Sequence, residues 1–76
     1  MAKKGKSTSE GVYRVTDVIG TSKVSWEDAA TNAVTAASKS LRDLRIAEVT
    51  KLDMKVEDGK VVAYRARVSL SFKYEG

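Results

Sequence analysis

The sequence predicts an α+β fold in the order β-α-β-β, and three observations predict it. From Tyr64 to Tyr74, apolar and polar residues alternate without a break, the pattern of a half-buried strand. Asp58-Gly59 separates that stretch from an earlier run with the same two-residue period, and Asp-Gly is the strongest short hairpin signal. Ahead of both, apolar residues recur at steps of three and four after Ser25, as on one face of a helix.

The first strand is read from VYRVTDVI, Val12 to Ile19, a stretch rich in β-branched residues that runs into Gly20. Ser25 then precedes Trp26-Glu27-Asp28. A serine at the N-cap accepts a bond from an orphan amide of the first turn, and two acids there suit the positive helix end. The helix is expected to run from Trp26 to about Asp43, with Ala30, Ala33, Val34, Ala37, Leu41 and Leu44 as its buried stripe. Three of these six are alanines, so the helix is expected to lie close to its sheet and to bury little area.

Strict alternation divides the second strand into two sides. Ile46, Glu48, Thr50, Leu52, Met54 and Val56 fall on one; Ala47, Val49, Lys51, Asp53 and Lys55 fall on the other. In the last strand Tyr64, Ala66, Val68, Leu70, Phe72 and Tyr74 oppose Ala63, Arg65, Arg67, Ser69, Ser71 and Lys73. The hairpin strands, 45–56 and 60–74, are longer than one helix of about 27 Å can cover. Bare strand ends expose aromatic side chains and edge amides, so copies of the chain are expected to cover one another.

Composition points the same way. A single domain of 76 residues is marginal alone. The chain has no cysteine and no histidine, which removes disulfides, thiolate metal sites and the commonest general base. Any metal would be a hard cation held by oxygens. Nucleophile elbows and phosphate loops are absent, so no enzyme activity is expected. Residues 1–11 read as a flexible tail rather than a secretory signal, residues 12–76 as the domain, and the cytoplasm as the compartment. No apolar run is long enough to span a membrane, so no membrane partner is expected. Of the net charge of +4, half comes from Lys3, Lys4 and Lys6 against Glu10. The rest is evenly mixed in sign, which argues against a nucleic-acid partner; a small basic nucleic-acid binder is the least favoured reading.

VYRVTDVIGTS, SWEDAATNAV, the Glu48-Val49 pair and VEDGKVVAYRARVSLSFKYE occur in an order and spacing that resembles the dodecins. The resemblance covers residues 12–75. It implies a three-stranded antiparallel sheet wrapped around one helix, twelve copies forming a hollow homododecamer, and flavin (riboflavin, FMN or FAD) stored in pockets at subunit contacts. Ile46 stands where flavin-binding dodecins carry a stacking tryptophan, and Arg65 where a glutamine follows the third-strand tyrosine. Ser25-Trp26, Ile46 and Asp53-Met54 make the chain more similar to a calcium-dodecin-like subset lacking that tryptophan, which implies calcium as the alternative ligand.

The candidate ligand-binding residues are therefore Ile46 and Arg65, with Arg67 as a further anion-binding group. The candidate calcium ligands are Asp17, Glu48 and Asp53, shared between subunits. Each has a plainer reading. Arg65, Arg67 and Lys73 can pair across the sheet with Glu48, Asp53 or Asp17, and Asp58 is what a tight turn needs. Trp26 is read as filling a crevice at a subunit contact rather than as a platform for a ligand.

Overall fold

A computed structural model describes residues 11–74. Strand β1 (Tyr13–Ser22) leads into helix α1 (Trp26–Ala37), followed by β2 (Leu44–Glu57) and β3 (Lys60–Lys73). The three strands form one antiparallel sheet in the order β1-β3-β2, so the last strand is central and β2 lies at an edge. The expected tail, residues 1–11, lies outside the described residues but for Gly11.

The turns follow from local chemistry. Asp58 and Gly59 both have positive φ, 52° and 74°, and join Glu57 to Lys60 as a two-residue hairpin loop whose twist matches the flanking strands. Ser25 caps α1 in extended conformation, its hydroxyl accepting from the Asp28 amide at 3.0 Å. The buried Ser22 hydroxyl donates to Asp28 Oδ2 at 2.7 Å and accepts from the Val24 amide at 2.9 Å, which fixes the chain's entry to the helix.

The helix stops at Ala37, six residues before the expected end. Ser38 Oγ donates back to the Val34 carbonyl at 2.7 Å, and the amides of both Ser40 and Leu41 close on the Ala37 carbonyl. Asp43 then turns with φ 57°, sending the chain into β2. Leu41, from this irregular segment, and Leu44, at the start of β2, still reach the core.

Ala29, Ala33, Ala66, Val68 and Leu70 form the buried centre. Ala29 falls outside the expected stripe, yet it is fully buried because β1 comes so close there. A Cβ on Gly20 would lie 2.0 Å from the Ala29 carbonyl oxygen and 2.9 Å from Ala33 Cβ. Glycine opposite alanine is what brings helix and sheet together.

Strand β2 departs from strict alternation. Its register against β3 shifts between Leu44 and Ile46, between Val49 and Lys51, and between Lys55 and Val56. Directly paired residues of antiparallel strands share a face. Leu44, Ala47, Val49, Leu52 and Met54 therefore join the helix side, opposite Phe72, Leu70, Val68, Ala66 and Tyr64. Ile46, Glu48, Lys51, Asp53 and Lys55 take the free side. The expected grouping of Ile46 and Glu48 with Leu52 and Met54 is corrected accordingly.

A helix of 12 residues reaches about 18 Å, whereas a strand of 14 reaches about 48 Å. The chain is accordingly long and thin, 57 × 22 × 16 Å. Its radius of gyration is 16.0 Å, against about 11 Å for a compact chain of this size.

Candidate functional site

The free face of the sheet is built in rungs, one residue from each strand. Thr21, Arg65 and Asp53 form one rung; Ile19, Arg67 and Lys51 the next. Asp17, Ser69 and Glu48 follow, then Val15, Ser71 and Ile46. Every candidate residue from the sequence lies on this face, the side away from the helix.

Arg65 and Asp53 are directly paired across β2 and β3. The guanidinium donates Nε–H to Asp53 Oδ1 at 2.7 Å and Nη2–H to Oδ2 at 2.8 Å, a two-pronged bond with the planar geometry that favours arginine. The hydrogen bond from Arg65, with the charges of Arg65 and Arg67, outweighs desolvation and holds the Asp53 carboxyl below the usual carboxylate range. Asp53 in turn raises the already high Arg65 value.

On the opposite side of the sheet, Trp26 braces the same spot. Its indole Nε1–H donates to the Asp53 backbone carbonyl at 3.0 Å. Its ring meets Tyr64 edge to face, with centroids 5.1 Å apart. Helix α1 is thereby tied to the edge strand at the residue whose side chain holds Arg65. Trp26 also lines an open groove with Glu27, Ala30, Thr31, Val49 and Leu52. Sequence reasoning placed Trp26 on the first helical turn but not its partner: the tie to Asp53 spans 27 residues and is made to a backbone atom.

Ile46 is 55% exposed, and Val15, across Ser71 on the same rung, is exposed as well. Its rung is six β3 residues from that of Arg65, about 20 Å at 3.4 Å per residue. One chain therefore does not bring Ile46 and Arg65 into a common pocket. The carboxylates divide similarly. Asp17 and Glu48 flank Ser69 on one rung, while Asp53 is two rungs away and engaged by Arg65. Among the described residues no three carboxylates gather closely enough to hold a metal ion.

This architecture has close counterparts. The family model for dodecin matches residues 12–75. The chain belongs to the dodecin family. The calcium dodecin of Mycobacterium tuberculosis is 47% identical over 62 residues, which cover 82% of this chain and 87% of that protein. Its structure, that of a calcium-chelating antigen with a calcium-binding site, superposes with a TM-score of 0.76 over 86% of this chain and 93% of that one. A dodecin from Streptomyces coelicolor is 43% identical, with a TM-score of 0.82 over 90% of this chain and 97% of its own. A dodecin from Streptomyces davaonensis, 29% identical, superposes with a TM-score of 0.79 over 86% of this chain and 96% of its own. The dodecin fold expected from the sequence, one helix held by a three-stranded antiparallel sheet, is the fold observed. Among the described residues no helix is long and apolar enough to cross a membrane.

Proposed function

We propose that this dodecin assembles as a closed homo-oligomer, the homododecamer of its family, and that the shell binds and sequesters a small ligand in pockets shared between chains. Flavin is the ligand that family membership favours, and the role is storage in the cytoplasm rather than catalysis. One observation carries the reading. Thirteen of the 14 positions of strand β2 are exposed, Ile46, Val49, Leu52, Met54 and Val56 among them, and only Leu44 at its start is half-buried. It is also an edge strand. A bare, apolar edge of that length is an aggregation hazard unless another copy pairs with it or covers it. The separation of Ile46 from Arg65 supports the sharing of pockets, since a ligand touching both needs a second chain.

Light scattering tests the assembly: twelve copies of 8.3 kDa give about 100 kDa. A stable folded particle of 8.3 kDa refutes it. Quenching of riboflavin fluorescence on titration with the assembled protein tests the ligand; fluorescence unchanged at micromolar protein refutes flavin.

A calcium-binding shell is the second reading. It is favoured by the 47% identity to a calcium dodecin and by Asp17 and Glu48 flanking Ser69 on the uncovered face. A calcium ion takes 6–8 oxygens, so these two side chains need others from neighbouring copies, and Asp53 of another chain is a candidate. A melting temperature that rises with calcium, falls with a chelator and loses the response in Asp17→Asn supports this reading. A temperature indifferent to calcium refutes it.

A further inference from the structure

The free face carries one concentration of positive charge, bordered on one side by the Asp17 and Glu48 rung, with one carboxylate set inside it. Lys51 and Arg67 are directly opposite each other, like charges on one rung, and Arg65 is on the next. Neither Lys51 nor Arg67 has an ion-pair partner among the described residues. Asp53 is the only acidic side chain on these two rungs. It takes two of Arg65's donors in a bond that is braced from behind by Trp26.

We infer that Asp53 is a specificity-determining residue: by occupying and neutralising Arg65 it denies this cluster of three cations to phosphate groups, so the site takes uncharged members of its ligand class in preference to phosphorylated ones. That the class is flavins rests on the function proposed above; the charge gate itself does not. The physical reason is local. With Asp53 present, a phosphate approaching Arg65 meets a guanidinium whose Nε and Nη2 are committed, beside a carboxylate that repels it. With asparagine there, the shape is preserved, one negative charge is gone, and the fork of Arg65 becomes available for the two-pronged geometry that phosphate prefers. One unit charge uncovered at contact distance changes the affinity for an anion by about tenfold or more at low salt.

The test compares the assembled wild type with Asp53→Asn, both checked for mass by light scattering, in fluorescence titrations with riboflavin and FMN at low salt. These ligands differ only by a phosphate. Expected is a wild type that binds riboflavin at least as tightly as FMN, and a variant in which the FMN-to-riboflavin affinity ratio rises about tenfold, the gain shrinking with added salt. Arg65→Gln added to Asp53→Asn should cancel the gain. Flavins binding to both proteins with an unchanged ratio overturn the inference and leave the flavin reading intact. If neither flavin binds, the flavin reading fails, and calorimetric titration with inorganic pyrophosphate decides the gate alone: binding gained in Asp53→Asn supports it, and heats equal to those of the wild type overturn it. Should Asp53→Asn fail to assemble, Asp53→Ser makes the same comparison.

Discussion

Gly20→Ala is the sharpest test of how the helix is seated. The added methyl would lie 2.0 Å from the Ala29 carbonyl oxygen and 2.9 Å from Ala33 Cβ. Comfortable contact for such atoms is about 3.5 Å, so the first half of α1 must retreat from β1 by roughly 1.5 Å. Both obstacles belong to the helix backbone or its shortest side chain, so no rotamer change relieves them. The cost is put at about 3 kcal/mol, the upper part of the range for overpacked cores. Against a stability of about 4–11 kcal/mol for a domain of 76 residues, that is a large fraction. Urea unfolding at one fixed protein concentration measures it, because assembly makes apparent stability depend on concentration. Gly59→Ala is the control. There the added atom meets nothing within 4 Å, and only the positive φ of 74° is strained, at a cost of about 1 kcal/mol. If Gly20→Ala unfolds within 0.5 kcal/mol of wild type, or no worse than Gly59→Ala, the account of helix seating is wrong.

Trp26→Phe keeps the edge contact with Tyr64 but loses the bond to the Asp53 carbonyl; a loss of about 1 kcal/mol is expected in the same urea assay, with Trp26→Ala costing more. Asp53 has a lowered folded-state pKa, so its contribution to stability is fully present above the unfolded carboxylate value near 4 and is lost as pH falls through the folded value. Thermal melts between pH 5 and pH 2 should therefore show a shallower acid limb for Asp53→Asn than for wild type, and parallel limbs would contradict the pairing with Arg65. Ile46→Trp restores an aromatic plate on an exposed position of the free face, and should tighten riboflavin binding at least tenfold in a fluorescence titration, in line with about 1–3 kcal/mol for stacking on a flat ring.

Much of the fold was legible because the chain states it locally. The alternation of Tyr64 to Tyr74 matches the observed burial of Ala66, Val68 and Leu70 on one side. Asp58-Gly59 and Ser25 occupy the turn and the cap that their chemistry suggests. What escaped was set by bonds and contacts that apolar spacing does not register. The helix was drawn too long because apolar spacing continues through Leu41 and Leu44, while the serines that end it act through carbonyl bonds that spacing does not register. Ala29 lies outside the expected stripe, and its burial comes from the close approach of Gly20 on β1. The faces of β2 were misassigned because a register shift has no compositional mark. Of the alternatives open to Arg65, pairing across the sheet with Asp53 is the one observed. Arg67, which the alternation put on the polar side of β3, and Lys51 opposite it make no ion pair among the described residues.

The surplus residue near Thr50 makes β2 two frames spliced out of phase. Ala47 and Val49 keep company with Leu52 and Met54 only because the count between them is odd. Thr50 marks the splice, its hydroxyl donating across to the Arg67 carbonyl at 3.2 Å. A relative lacking Thr50 would keep the same faces in an unbroken strand, because Val49 and Lys51 already stand opposite the consecutive residues Val68 and Arg67. Loss of a second residue would turn Glu48 toward the helix and Val49 toward the open side, so the splice gives this edge slack for one deletion and no more.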